Sequence, residues 1–287
     1  MAEPSSNVQI LTRNYLLDSE MTDIDLQTTK ILARTENQVG WITFNQPEKR
    51  NAISLEMWQG IGDSLENFEN DSSIKAVVMT GAGGRAFASG ADISEFDQHR
   101  ANAEQRRQYA EISERGHYWL ASFSKPLIAT INGFCIGGGL AIALNADIRF
   151  ATPDSRFGVP AAKLGLGYEY GGLAKLARLV GPSTARDIMF TARFLESDEA
   201  QRIGLINFIE PAERIENAVA EYVAVIADNA PLTIKAAKAA VNTFERYSIL
   251  EGVKEVSAMV DACFDSEDYK EGRLAFSEKR KPEFKGR

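Results

Sequence analysis

The order of apolar and polar positions divides the chain into three stretches. Residues 1–27 carry few apolar side chains and no clear period, which predicts a mobile polar arm. Over 30–44, apolar and polar residues alternate on either side of Glu36-Asn37, the pattern of a β-hairpin. Leu55, Trp58, Ile61, Leu65 and Phe68 then recur at helical spacing behind Ser54, so a helix capped by that serine is predicted as far as Asn70. The run 74–80 is almost wholly apolar, as expected of a strand covered on both faces. A charged helix over 101–122, a strand over 127–131, a short strand over 147–151 and a glycine-rich loop over 157–170 follow. Helices are predicted at 171–180, 183–190 and 198–203, with a short strand at 205–209. From Pro211 the pattern is helical throughout, at 211–229, 231–247, 249–264 and 267–280. Strand-helix alternation with a helical tail predicts an α/β core over 28–210 and a helical region over 211–287.

Composition narrows the function more than the fold. A net charge of −8 argues against nucleic acid or an anionic membrane as main partner, and no apolar run has the length of a membrane span. The two cysteines, Cys135 and Cys263, stand far apart in apolar surroundings and build neither a disulfide framework nor a C-x-x-C site, which suits a cytoplasmic location. His99 and His117 are the only histidines, and neither adjoins a nucleophile motif, so a serine-histidine hydrolase and a histidine-ligated metal are both disfavoured. Apolar residues on more than one face of the tail helices (Val219, Tyr222, Val223, Val225, Ile226) predict contact with another subunit.

Candidate chemistry gathers at two turns. Gly137-Gly138-Gly139 stands between a strand and an apolar helix, and Gly90-Ala91-Asp92 closes a second small-residue turn after the 74–80 strand. Glycines let backbone N–H groups approach a ligand with no Cβ in the way, and the first N–H groups of a helix lack intrahelical partners. Two such donors aimed at one oxygen make an oxyanion hole. The dinucleotide and P-loop spacings are absent.

At these residues the sequence resembles the enoyl-CoA hydratase/isomerase (crotonase) family. The matches run in order: Asn45-Gln46-Pro47 with Asn51-Ala52, Ala86 to Ile93, Asn132-Gly133 with the three glycines, Asp147-Ile148-Arg149, Phe157-Gly158, Gly165-Leu166-Gly167, and Ala275-Phe276 with Glu278 to Lys281. The resemblance implies a crotonase-like spiral of β-β-α units with a C-terminal helical region that assembles homotrimers or dimers of trimers. It also implies an acyl-CoA thioester as substrate, with no cofactor beyond the CoA the substrate carries and no metal, and an enolate stabilised by the backbone N–H groups of Ala91 and Gly138.

Two departures from the family pattern bear on the reaction. The family's hydratases place glutamates where this chain has Ala141 and Ala161, and a methyl group cannot transfer a proton. Glu169 falls where related isomerases and dehalogenases place an aspartate, and Tyr168 where a related decarboxylase has an active-site tyrosine. The resemblance therefore implies isomerase or decarboxylase-type chemistry with Glu169, helped by Tyr168, as acid/base. A CoA-thioester-binding subunit or sensor without turnover is the alternative. Lys49, Ala88, Gly90, Asp92, Ile93, Phe276 and Lys279 complete the expected substrate and CoA contacts, with Arg50 and the run Lys279 to Lys281 near the phosphates. Asp92 is also a candidate helix cap and Glu95 a candidate pocket residue. Phe87, Phe96, Trp119 and Phe157 are candidates for the acyl wall or for plain core.

Overall fold

The computed structural model describes residues 21–92, 103–164, 168, 170–246, 262 and 265–287. Residues 1–20 of the expected arm and most of the helix expected at 249–264 lie outside them. The described part of the arm is not featureless. Met21–Ile24 forms strand β1, antiparallel to β2 (Ile31–Glu36), because the outer edge of β2 offers unpaired backbone groups whatever the polarity of the partner's side chains. β2 turns into β3 (Val39–Phe44) through Asn37 and Gln38, one residue later than expected, with φ of 48° and 66°. Positive φ at both central residues is the two-residue turn whose twist matches a hairpin.

After the hairpin the chain winds as a coil with a strand in each of two sheets per turn. β4 (Ala76–Gly81), β6 (Leu127–Ile131) and β8 (Ile148–Ala151) join a seven-stranded sheet of order β1-β2-β3-β4-β6-β8-β11, with β11 at Phe208–Ile209. Each is followed by a three-residue strand, β5 (Ala86–Ala88), β7 (Phe134–Ile136) or β9 (Arg156–Gly158), in a four-stranded sheet of order β10-β9-β7-β5, with β10 at Leu195–Glu196. A helix then returns the chain: α1 (Leu55–Asn70) after β3, α2 (Ala103–Ser122) after β5, and α3 (Gly138–Ala143) after β7. Ile53, just before α1, adds a single parallel bridge to Ala91, beyond the end of β5. This is the β-β-α spiral that the resemblance implied. Strands β7 and β9 were not read from the sequence, and residues 160–164 of the expected loop form a 3-10 turn.

The apolar strands split their side chains between two cores. Val77, Met79, Leu127, Ala129 and Ile131 face the main core beside the small sheet, with Phe44, Phe68, Phe87 and Phe157. Ala76, Val78, Ile128 and Phe150 face the opposite side, where Ile215, Ala218, Val219 and Val223 of α7 (Ile215–Ala227) cover them. Period-two alternation with both faces buried is why these strands read as unbroken apolar runs. The remaining helices are α4 (Tyr170–Val180), α5 (Pro182–Thr191), α6 (Ser197–Arg202), α8 (Pro231–Arg246) and α9 (Glu267–Glu278). No helix among the described residues is long and apolar enough to cross a membrane.

Candidate active site

The two glycine turns hang from adjacent parallel strands. β5 and β7 pair through Ala86 with Phe134 and Ala88 with Cys135. Beyond β5, Gly90 adopts a φ of 117°, a region L side chains rarely enter, and its carbonyl accepts from Ile53 N at 2.7 Å. Asp92 N donates to Ile53 O at 2.9 Å, so the parallel bridge uses the groups flanking Ala91 and leaves that residue's own N–H facing the other way. The second turn lies on that side. A Cβ added to Gly138 would stand 3.4 Å from Ala91 N, one on Gly137 would stand 3.8 Å from Gly90 Cα, and one on Gly139 would collide with Ala88 O at 2.2 Å. The turns thus meet backbone to backbone, and at Gly139 only glycine permits the approach.

Gly137 carries φ 54° and ψ −114° and donates its N–H to Gly158 O at 2.8 Å. Its carbonyl accepts from Ala141 N at 2.9 Å and from Tyr168 Oη at 3.3 Å. Among the described residues, neither Ala91 N nor Gly138 N donates to a protein acceptor. Two neighbouring N–H groups without an acceptor, beside an opening made by glycines, can bind an oxygen that gains negative charge. Helix α3 is only six residues long, so the local N–H groups matter here more than a helix dipole. Its C-terminal end is held by Arg149, whose buried guanidinium donates to the carbonyls of Ala143, Ala146 and Leu205.

The charged groups near the first turn are already engaged with each other. The buried Asp92 carboxylate takes the Lys49 ammonium at 2.8 Å and the Gln46 amide at 3.4 Å. Lys49 remains half-exposed. Asn51, fully buried with φ 55°, holds the framework behind them: its side chain accepts from Gln46 N at 2.9 Å and donates to Ala86 O at 2.8 Å and Ala82 O at 3.0 Å. Gln46 and Asn51 belong to the first sequence match, yet nothing in their spacing reveals that they brace the turn carrying Ala91.

Of the expected residues, Ala88, Gly90, Ala91, Gly138 and Tyr168 are brought together, with Lys49 and Asp92 beside them. Ile93, Glu95, Phe96 and Glu169 lie outside the described residues, as does the side chain of Phe276. Lys279 follows α9 with φ 55° and is exposed; Arg280 pairs with Glu271 at 2.7 Å, and Lys281 with Asp228 at 2.5 Å. Ala161 is buried and Ala141 partly so. Phe87 and Phe157 are sealed in the main core, Phe87 edge-on to Phe44 at 4.9 Å between centroids, while Trp119 is partly buried against it. Burial pushes the Tyr168 phenol up to about 12 and raises the Cys135 thiol. His117 stacks on Trp58 with centroids 4.0 Å apart, a packing role.

Comparison with known proteins points the same way. A family model described as enoyl-CoA hydratase/isomerase matches residues 34–287. A short-chain-enoyl-CoA hydratase of Clostridium acetobutylicum is 37% identical over 264 residues, covering 91% of this chain and all of that one. A crotonyl-CoA hydratase of Syntrophomonas wolfei is 32% identical, over 88% of this chain and 97% of its own. Among solved structures, an enoyl-CoA hydratase/carnithine racemase from Magnetospirillum magneticum superposes with a TM-score of 0.84 at 36% identity, over 91% of this chain and 97% of that one.

Proposed function

Since the chain belongs to the enoyl-CoA hydratase/isomerase family, we propose that it is an acyl-CoA enzyme whose Ala91 and Gly138 N–H groups receive the thioester oxygen as an enolate forms. The observation that carries this reading is the apposition of the two turns, with Ala91 N 3.4 Å from the Gly138 Cβ position and both donors without a protein acceptor among the described residues. A donor at each side of the oxygen stabilises charge that exists only in the transition state, and each is worth about 3 kcal/mol.

Isomerisation or decarboxylation is favoured over hydration. Adding water to an enoyl thioester needs one group to activate the water and another to deliver a proton, and Ala141 and Ala161 offer neither. Moving a double bond needs one base that removes and returns a proton, which Glu169 supplies in this reading. Loss of carbon dioxide needs only the oxyanion donors. Hydration is the second reading, favoured by the names of the relatives from Clostridium and Syntrophomonas. Lys49 and Lys279 are assigned to the CoA phosphates and Phe276 to the CoA contact, in a homotrimer or dimer of trimers joined through the tail, where Val225, Val241 and Phe244 stand exposed. The reading places the protein in the cytoplasm, where acyl-CoA is available.

A panel of crotonyl-CoA, a 3-enoyl-CoA, a dienoyl-CoA and methylmalonyl-CoA, run on the wild type and on Glu169→Gln, tests the assignment. Conversion by the wild type that disappears in the variant while CoA-thioester binding persists supports Glu169 as the acid/base. Equal rates in both remove it from the mechanism, and binding without conversion of any panel member favours a non-catalytic subunit.

A further inference from the structure

The carbonyl of Gly137 and the N–H of Gly138 are two edges of one peptide plane. In a trans peptide they point in opposite directions, and the described chain contains no cis bond. Whatever holds the carbonyl therefore aims the N–H. The plane is flanked by glycines on both sides, with Gly137 at φ 54° and ψ −114°, so no side chain of its own two residues restrains its rotation. Two donors hold the carbonyl. The Ala141 N–H at 2.9 Å is part of the first turn of α3, whereas the Tyr168 hydroxyl at 3.3 Å comes from 31 residues away. The tyrosine ring is itself placed by packing: it rests against the main core and against Gly172, where an added Cβ would stand 2.9 Å from Cε1.

We propose that Tyr168 is a positioning residue for the oxyanion site, its hydroxyl locking the Gly137–Gly138 peptide so that the Gly138 N–H faces the thioester oxygen. This rests on the acyl-CoA reading above. Burial keeps the phenol protonated far above neutral pH, with its value pushed up to about 12, so the group is a constant donor and a poor base. A donor on the carbonyl also polarises the same peptide and strengthens its N–H as a donor, the cooperative effect of linked hydrogen bonds.

Butyryl-CoA labelled with ¹³C at the thioester carbonyl, which has no double bond to move, reports the strength of the hole by difference infrared spectroscopy on the full chain. The expected result is a carbonyl band shifted down in the wild type relative to free butyryl-CoA. The shift should shrink in Tyr168→Phe and grow when 3-fluorotyrosine, a stronger donor of almost the same shape, replaces Tyr168. Affinity for butyryl-CoA should fall by no more than about tenfold in Tyr168→Phe, the worth of one neutral hydrogen bond. A band that is shifted in the wild type and unmoved by both replacements overturns the role of Tyr168 and leaves the acyl-CoA reading intact. An unshifted band in the wild type overturns the oxyanion site itself, and this proposal with it. Should the phenylalanine variant fold poorly, the fluorotyrosine protein decides alone, since an unchanged band there refutes the proposal.

Discussion

Gly138→Ala separates folding from chemistry at the candidate site. Gly138 occupies the start of α3 without a positive φ, and an added methyl carbon would meet nothing nearer than Ala91 N at 3.4 Å, an ordinary contact. Replacing glycine by alanine in a compatible conformation stabilises a protein by about 0.4–1 kcal/mol through the unfolded chain. The variant should therefore melt within a few degrees of the wild type, given about 2–4 °C per kcal/mol for a chain of this order of size. Its chemistry should fail. An oxygen accepting from Ala91 N must come within about 2.9 Å of that nitrogen, and a methyl carbon held 3.4 Å away on the same side obstructs it. Loss of one such donor costs about 10²–10³ in kcat, and a methyl standing between both donors should reach the upper end. Thermal melting by circular dichroism and initial rates on the converted thioester, or the labelled butyryl-CoA band if turnover is slow, measure the two effects. Gly139→Ala supplies the contrast: its Cβ would lie 2.2 Å from Ala88 O and 2.8 Å from Ala88 C, both backbone, so about 3 kcal/mol of stability should be lost. Gly138→Ala with a rate within threefold of the wild type would refute the placement of the oxyanion between these turns.

Other expectations follow from the surroundings of the site. Asn51→Ala strands the three backbone groups its side chain satisfies and places alanine at φ 55°; a loss of about 3 kcal/mol is expected from the urea midpoint, and a loss under 1 kcal/mol would mean those groups find other partners. Lys49→Ala should raise KM for CoA thioesters more than for pantetheine thioesters if the ammonium meets phosphate; an equal rise in both would refute that contact. The Glu271 carboxylate, held down to about 2 by Arg280 and the Glu283 N–H, lies below its ordinary value of 4.5, so its contribution is complete above that value and is lost as pH falls toward 2. Protection of the Glu283 amide, taken as its exchange rate relative to the unstructured rate at the same pH, should fall through that window, and Glu271→Gln should remove that fall.

Long elements could be read from residue order because one periodicity dominates each of them. The Ser54 cap accepts from Met57 N at 3.3 Å and the helix behind it runs to Asn70 as expected, and β6 occupies 127–131 as the apolar run predicts. Three-residue strands such as β7 and β9 hold too few residues to display a period, and their pairing comes from neighbouring turns of the coil. The glycines stood out because only glycine tolerates the approach of Gly139 to Ala88. The contact from Tyr168 to the Gly137 carbonyl left no trace in spacing, since it joins a side chain to a backbone atom that every residue type possesses. Gln46 beside Asp92 was hidden for the related reason that 46 positions separate them.

The support of the two turns by adjacent strands of one small sheet has a consequence for how this architecture tolerates change. Neighbouring strands keep a fixed separation of about 4.8 Å, enforced by main-chain pairing that is indifferent to side-chain identity. The gauge of the amide pair is thereby inherited from sheet geometry. Side chains around the two turns can therefore change without altering the spacing of the two amides.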